Sequence, residues 1–183
     1  MPYRRAIAGA ELRSLALQDA EELHALIVAN LDHLRTWLPW VSPERTLDDT
    51  RSFVLEVSLE EARTGGPAAG IFVTGRLAGV CQLRADPLRR LADIGYWLAA
   101  EHQGKGLMTR AVAALLDHGF DVLGLGKVEI HCATGNRRSR ALPERLGFTQ
   151  EGVLRAREWL HDHFEDHVVY GILADEWRAR RPI

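Results

Sequence analysis

The sequence predicts a mixed α/β domain: one sheet with helices on both faces. Three observations carry that reading. A strongly amphipathic helix opens at a glycine-rich turn past mid-chain, apolar runs of strand character stand on either side of it, and strand and helix patterns alternate through the second half. From Asp19, the segment DAEELHALIVANLDHLRTW spaces Leu23, Ile27 and Leu31 four apart behind an acidic first turn, predicting a helix to about Leu34. The loop TWLPWVSPER follows; Thr46 or Asp48 can cap a second helix through about Arg63, and TGGP ends it. GIFVTGRLAGVCQLRA reads as two strands joined by a tight turn around Gly75 to Gly79. After the DPLRR turn, LADIGYWLA is a further strand that runs into a glycine-containing loop. From Gly104, Leu107, Ala111 and Leu115 form one column and Met108, Val112, Leu116 and Phe120 another, a wide apolar stripe suited to lie on a sheet. LGLGKVEIHCAT ends that helix and adds a strand over Lys127 to Ala133, and NRRSRALPERLGF predicts a short helix. Thr149 to Leu160 and His167 to Leu173 read as the last strands, with Asp162 to Asp166 as their turn.

Composition bounds the function. At 183 residues, 46% hydrophobic and 26% charged, the chain is of ordinary globular make-up and fits one domain over 1–183. A net charge of -2 gives no long-range pull toward DNA or an anionic membrane, so neither nucleic acid nor membrane is an expected partner. Only two of the 23 basic residues, Lys105 and Lys127, are lysines, an imbalance that fits codon bias better than function. Cys81 and Cys132 sit in apolar strand-like runs and read as reduced core thiols rather than a bridge or a nucleophile. No stretch approaches the ~18 apolar residues of a membrane span, and no secretory h-region opens the sequence. A soluble cytoplasmic protein is the expectation.

The junction IGYWLAAEHQGKGLMT is the first place where chemistry concentrates. A strand feeding a glycine-rich turn into a helix start aims unpaired backbone N–H groups, and the positive end of the helix dipole, at one point that favours phosphate. Gly104 and Gly106 let a ligand approach the backbone, and Lys105 and Arg110 can add charge. A plain connecting turn would look similar. GxxxxGK[ST] is absent, and Gly104–Thr109 lacks the last small residue of GxGxxG, so neither a P-loop nor a dinucleotide fingerprint is present.

A second group, Asn136-Arg137-Arg138-Ser139 followed by Leu146-Gly147-Phe148, changes what the first one means. Gln103-x-x-Gly106 entering a helix, then Asn-x-x-Ser about 30 residues on and a closing Leu-Gly-Phe, resembles the acetyl-CoA-dependent GNAT N-acetyltransferases. Within that family GYWLAAEHQGKGLMTRAV, the TWLPWV loop and the DHVVYGIL tail resemble the RimJ/RimL-like branch, which acetylates ribosomal-protein amino termini, over about Glu11 to Trp177. The resemblance implies the GNAT fold, a mostly antiparallel sheet that splays between Ala92–Leu98 and Lys127–Ala133 to admit acetyl-CoA. It places the pyrophosphate on the amides of Gln103, Gly104, Lys105, Gly106, Leu107 and Met108, and the cofactor arm against Asn136. A strand bulge would free a backbone N–H near Trp97 or Leu98 for the thioester carbonyl, oxyanion-hole work worth about 3 to 4 kcal/mol per donor. The resemblance further implies Ser139 as the acid at the leaving thiol, Glu158 as the base, a cleft wall at Trp37 and Trp40, and a homodimer.

One departure stands out. The tyrosine that the family often carries seven residues after the Asn is Pro143 here. That proline also removes the N–H that would bond the Ser139 carbonyl, so the helix is expected to kink or begin late. Other readings stay open at each position. Ser139 can make a local helix-start hydrogen bond, Glu158 can be an exposed strand residue, with Glu101 and Asp93 as weaker bases, and the tryptophans can serve a core. Arg137, Arg138 and Arg140 can meet a phosphate or face solvent. His161, His163 and His167 span a turn without metal-site spacing, so no metal is expected.

The acceptor is then a primary amine, with a protein α-amine favoured over a small polyamine, amino acid or aminoglycoside. An α-amine with pKa near 7.8 is roughly a third neutral at pH 7.5, whereas a lysine near 10.4 costs about 4 kcal/mol to deprotonate there. A modest base therefore suffices for the former. A CoA-binding module without turnover is the remaining alternative, and the loss of the tyrosine is its support.

Overall fold

A computed structural model describes residues 2–180. Strands β1 (Arg4–Ile7) and β2 (Ala10–Ser14) form a hairpin that leads into α1 (Ala20–Ala29), α2 (Leu31–Arg35) and α3 (Leu47–Thr64). Then come β3 (Ala68–Val73), β4 (Arg76–Asp86), β5 (Leu91–Leu98), α4 (Leu107–Asp117), β6 (Lys127–Ala133), α5 (Arg137–Leu146), β7 (Thr149–Leu160), β8 (His163–Leu173) and α6 (Ala174–Arg180).

Local chemistry explains the boundaries. Thr46 caps α3: its side chain accepts from the Asp49 N–H at 3.2 Å while the Asp49 carboxylate accepts from the Thr46 N–H at 2.8 Å. Gly65 ends that helix in the left-handed region. The predicted first helix is instead two, because Asn30 leaves helical geometry and its side chain donates back to the Leu26 carbonyl at 3.0 Å.

The sheet has eight strands in the order β1-β2-β3-β4-β5-β6-β8-β7. Every neighbouring pair is antiparallel except β5 and β6, which run parallel across the α4 crossover. These two pair only where Leu91–Asp93 meet Lys127–Glu129, and beyond that they part. The sheet is therefore mixed, mostly antiparallel and splayed, as anticipated. One core holds Leu83, Ile94, Val112, Leu115, Phe120 and Ile130 between the sheet and α4. A second core on the other face, with Leu23, Ile27, Val54, Phe72 and Val80, is covered by α1 and α3.

The chain departs from the sequence expectations at its turns and ends. The β3–β4 turn closes on Thr74 and Gly75 alone, both at positive φ, and Gly79 lies inside β4. There a Cβ would stand 2.4 Å from the Trp97 carbonyl oxygen, so close strand approach, not a turn, is what requires glycine. β8 starts at His163 rather than His167, since Phe164 and Glu165 pair with Trp159 and Glu158 across a bulge in β7. The turn is thus His161–Asp162, not Asp162–Asp166. The N-terminal hairpin and α6 carried too few periodic positions to be read in advance.

Candidate active site

The splay opens two chambers, one on each side of the sheet. The first, about 840 Å³, lies between the start of α4, α5 and α2. The second, about 770 Å³, lies over β5, β6 and the far end of β7 and β8. Trp37, Leu38, Tyr96, Trp97, Asn136 and Ser139 line both, so the chambers meet at the point where β5 and β6 separate.

In the first chamber the backbone is the main feature. Gly104 and Gly106 both take positive φ, and nothing lies within 4 Å of where a Gly104 Cβ would stand. Gly106 caps α4 without a side chain, which leaves the first-turn amides of Leu107, Met108 and Thr109 without helical acceptors at the chamber wall. The side chains of Leu107 and Met108 turn inward and are buried, fixing those amides in place. The lining cations are Arg110, Arg137, Arg138 and Arg145, whereas Lys105 is exposed in the loop and its carbonyl accepts from Arg110 at 3.0 Å. Arg140 is not among them: it donates to the Tyr170 hydroxyl and the Thr134 carbonyl, both at 3.0 Å. Gln103 ties the loop down. Its amide nitrogen lies 2.6 Å from His33 Nε2 and 3.2 Å from the Leu98 carbonyl oxygen, and its Oε1 accepts from Arg138. An open backbone with uncapped amides and four arginines fits a polyphosphate donor.

The expected bulge in β5 is absent. β4 and β5 keep one register through eight pairs, and the departure of β6 frees the donors instead. The Ala99 N–H bonds to the Ala78 carbonyl at 2.8 Å, so alternation turns the Trp97 N–H toward β4 and the Leu98 N–H toward the split. Leu98 is the better placed of the two for a carbonyl oxygen.

Ser139 sits at the meeting point on α5. Its N–H is capped by Asn136 Oδ1 at 3.1 Å, its Oγ lies 3.2 Å from both the Tyr96 hydroxyl and Cys132 Sγ, and its carbonyl accepts from Tyr96 at 3.0 Å. The helix neither starts late nor breaks: α5 is continuous through Pro143, and Tyr96 serves the carbonyl that the proline leaves open. Its apolar strand setting marks Cys132 as a core thiol. It is buried, yet it touches Ser139 and lines the second chamber.

The second chamber is built from strand side chains. Glu158 lines it and makes no hydrogen bond or ion pair among the described residues. Glu129, by contrast, is held by Lys127 at 2.8 Å and by His131 at 2.9 Å; burial pushes its carboxyl up, and these two partners outweigh that and keep it below the usual range. Asp93 is paired with Arg84. Burial pushes the His167 imidazole down, so it is neutral at neutral pH, with the Glu158 charge opposing that shift. Glu101 and Asp162 lie outside both chambers, at exposed positions beside His102 and His163. Trp37 covers Gly135, whose Cβ would stand 3.3 Å from its ring, and Trp40 is 41% exposed beside Arg45, so both line the cleft rather than a core. Sequence reading missed Tyr96, Cys132, Glu129, His131 and His167. Strand alternation was the available signal, since it puts Glu129 and His131 on one face of β6 and Cys132 on the other.

A sheet opened at one seam, with phosphate-receptive amides lining one chamber, a carboxylate lining the other and a serine hydroxyl where the two meet, suits a group-transfer enzyme. Sequence comparison gives the class its name: the acetyltransferase (GNAT) domain family matches residues 10–149, and the chain belongs to it. It is 36% identical over 172 residues to a putative ribosomal N-acetyltransferase of Bacillus subtilis, YdaF, covering 93% of this chain and 94% of that one. It is 32% identical over 166 residues to the ribosomal-protein-serine acetyltransferase of Escherichia coli, covering 90% and 93%. Among solved structures, RimL, a ribosomal alpha-N-protein acetyltransferase in complex with coenzyme A as a disulfide to a cysteine, superposes with a TM-score of 0.87 at 29% identity, covering 94% of this chain and 98% of that one. The protein is thus a GNAT N-acetyltransferase.

Proposed function

We propose that this enzyme acetylates the α-amine of a protein amino terminus, that of a ribosomal protein, by direct transfer from acetyl-CoA. The Glu158 carboxylate, which lines the second chamber together with Ser139 and has no hydrogen-bond or ion-pair partner among the described residues, is the observation that carries the reading. Glu158 takes a proton from the acceptor ammonium, directly or through a water. The Leu98 N–H binds the donor's carbonyl oxygen as charge gathers there. As the new N–C bond forms and the C–S bond breaks, the Ser139 hydroxyl passes its proton to the sulfur, the nitrogen sheds its second proton to solvent in the open chamber as it becomes an amide, and Ser139 regains a proton from the same solvent. The amides of Gln103 to Met108 and the surrounding arginines hold the pyrophosphate, and Asn136 borders the donor's arm. Trp37 and Trp40 wall the acceptor.

A polyamine would call for several unpaired carboxylates, but Asp93 and Glu129 already have basic partners. A module that only binds CoA would need neither Ser139 nor Glu158 at the seam. The reading includes one domain in the cytoplasm and no metal, nucleic acid or membrane. It also includes a homodimer, for which exposed Val153, Leu154, Trp159 and Phe164 on β7 and β8 offer apolar surface. Incubation with acetyl-CoA and either a peptide bearing an N-terminal serine or spermidine, followed by mass spectrometry, tests the acceptor. Acetylation of the peptide's α-amine is expected, and transfer to spermidine alone overturns the reading.

A further inference from the structure

Pro143 and Tyr96 belong to different elements, but the geometry couples them. A helical carbonyl normally accepts from the N–H four residues on, and for Ser139 that residue is proline, which has none. A buried carbonyl left open is costly. The Tyr96 hydroxyl fills the vacancy at 3.0 Å from across the chamber, on β5. With its proton committed to that carbonyl, the phenol oxygen can only accept from the side, and Ser139 Oγ stands there at 3.2 Å. Ser139 therefore donates to Tyr96, and Cys132 Sγ, 3.2 Å from the same Oγ, is left as donor to it. Burial pushes the Tyr96 hydroxyl well above the usual tyrosine range, which keeps it a neutral phenol.

We propose that Tyr96 is the positioning residue for Ser139: through the carbonyl that Pro143 leaves open, it anchors the phenol that holds the serine hydroxyl at the meeting point of the two chambers. This rests on Ser139 as the acid in the proposed function. Tyr96 gives up no proton itself. It keeps Ser139 Oγ in one rotamer, so that the hydroxyl has only to turn from the phenol to the departing sulfur.

Two cycles of variants test this. In the first, CoA release from acetyl-CoA and the N-terminal-serine peptide is followed for S139A, Y96F and the double variant. S139A is expected to lower kcat about 100-fold and Y96F about 10-fold, with the KM for acetyl-CoA within about twofold in each. The double variant is expected to be no slower than S139A alone. If the two losses multiply, Tyr96 acts independently of Ser139 and this inference fails while the acid assignment stands; if S139A turns over at the wild-type rate, both fail. The second cycle needs no acceptor. Y96F is expected to lower Tm by about 3 °C, and by under about 1 °C in the P143A background, where a helical N–H serves the carbonyl again. An equal drop in both backgrounds overturns the coupling.

Discussion

The two chambers differ in what they are made of. The donor side is backbone: two glycines at positive φ, an uncapped helix start and amides fixed by the buried Leu107 and Met108. The second chamber is side chains brought together from β4, β5, β6, β7 and β8, from Val80 to His167 along the chain. A backbone site needs particular residues at particular spacing, because few sequences can form it. A side-chain site can be assembled from any strands that topology brings together, so it leaves no local pattern. In the proposed function, recognition of the donor and of the acceptor thus falls to two kinds of construction in one fold.

The sharpest way to separate the two sides is Glu158→Gln. It removes the proposed base and keeps the shape, so kcat is expected to fall about 100-fold, while calorimetry is expected to give the same affinity for acetyl-CoA. A matching loss of acetyl-CoA affinity would mean that the chambers are not independent. The complementary change is Gly106→Val. A Cβ there would stand 2.9 Å from Arg110 Nη1, a side-chain end that can swing away, but the backbone at φ +70° is one a β-branched residue holds only under strain, so the helix start must shift. Acetyl-CoA affinity is expected to drop about tenfold, with the KM of the acceptor unchanged. The smallest effect lies outside both chambers. Asp19 is buried against Arg13 at 2.7 Å; burial pushes its carboxyl up, but Arg13 and the Ala16 N–H more than offset this and hold it below the ordinary value. A depressed carboxyl stabilises the fold above about pH 4 and loses that contribution as pH falls through its folded value. Asp19→Asn should therefore flatten the acid limb of stability, read as Tm against pH from 6 to 3, without changing kcat at neutral pH.

What could be read in the sequence follows the same division. The α4 stripe and the glycines before it were legible because each rests on local spacing. So was the loss of a hydrogen bond to the Ser139 carbonyl, which follows from Pro143 alone. The partner that repairs it was not, since Tyr96 lies 43 residues away and meets Ser139 only after β5 and α5 are docked. Likewise the Leu98 donor is freed by the parting of β6 rather than by a bulge, a tertiary event that no property of residues 91–98 announces. Arg140 illustrates the reverse: its neighbours in sequence line the donor chamber, yet its position on the helix turns it to Tyr170. The charged run Asp162–Asp166 reads as a turn, although pairing with β7 holds all of it but Asp162 in a strand.

The short contact between β5 and β6 has a mechanical meaning. Three residue pairs are all the strand pairing between a five-stranded half-sheet and a three-stranded one, so along the seam the two leaves are held at Leu91–Asp93 and by the core they share under α4. Acetyl-CoA lying along the open seam would act as a missing strand, stitching the leaves together with its own amide groups. The donor would then stiffen the enzyme as well as supply its acetyl group, and hydrogen exchange along the facing edges of β5 and β6 should slow when it binds and recover when CoA leaves.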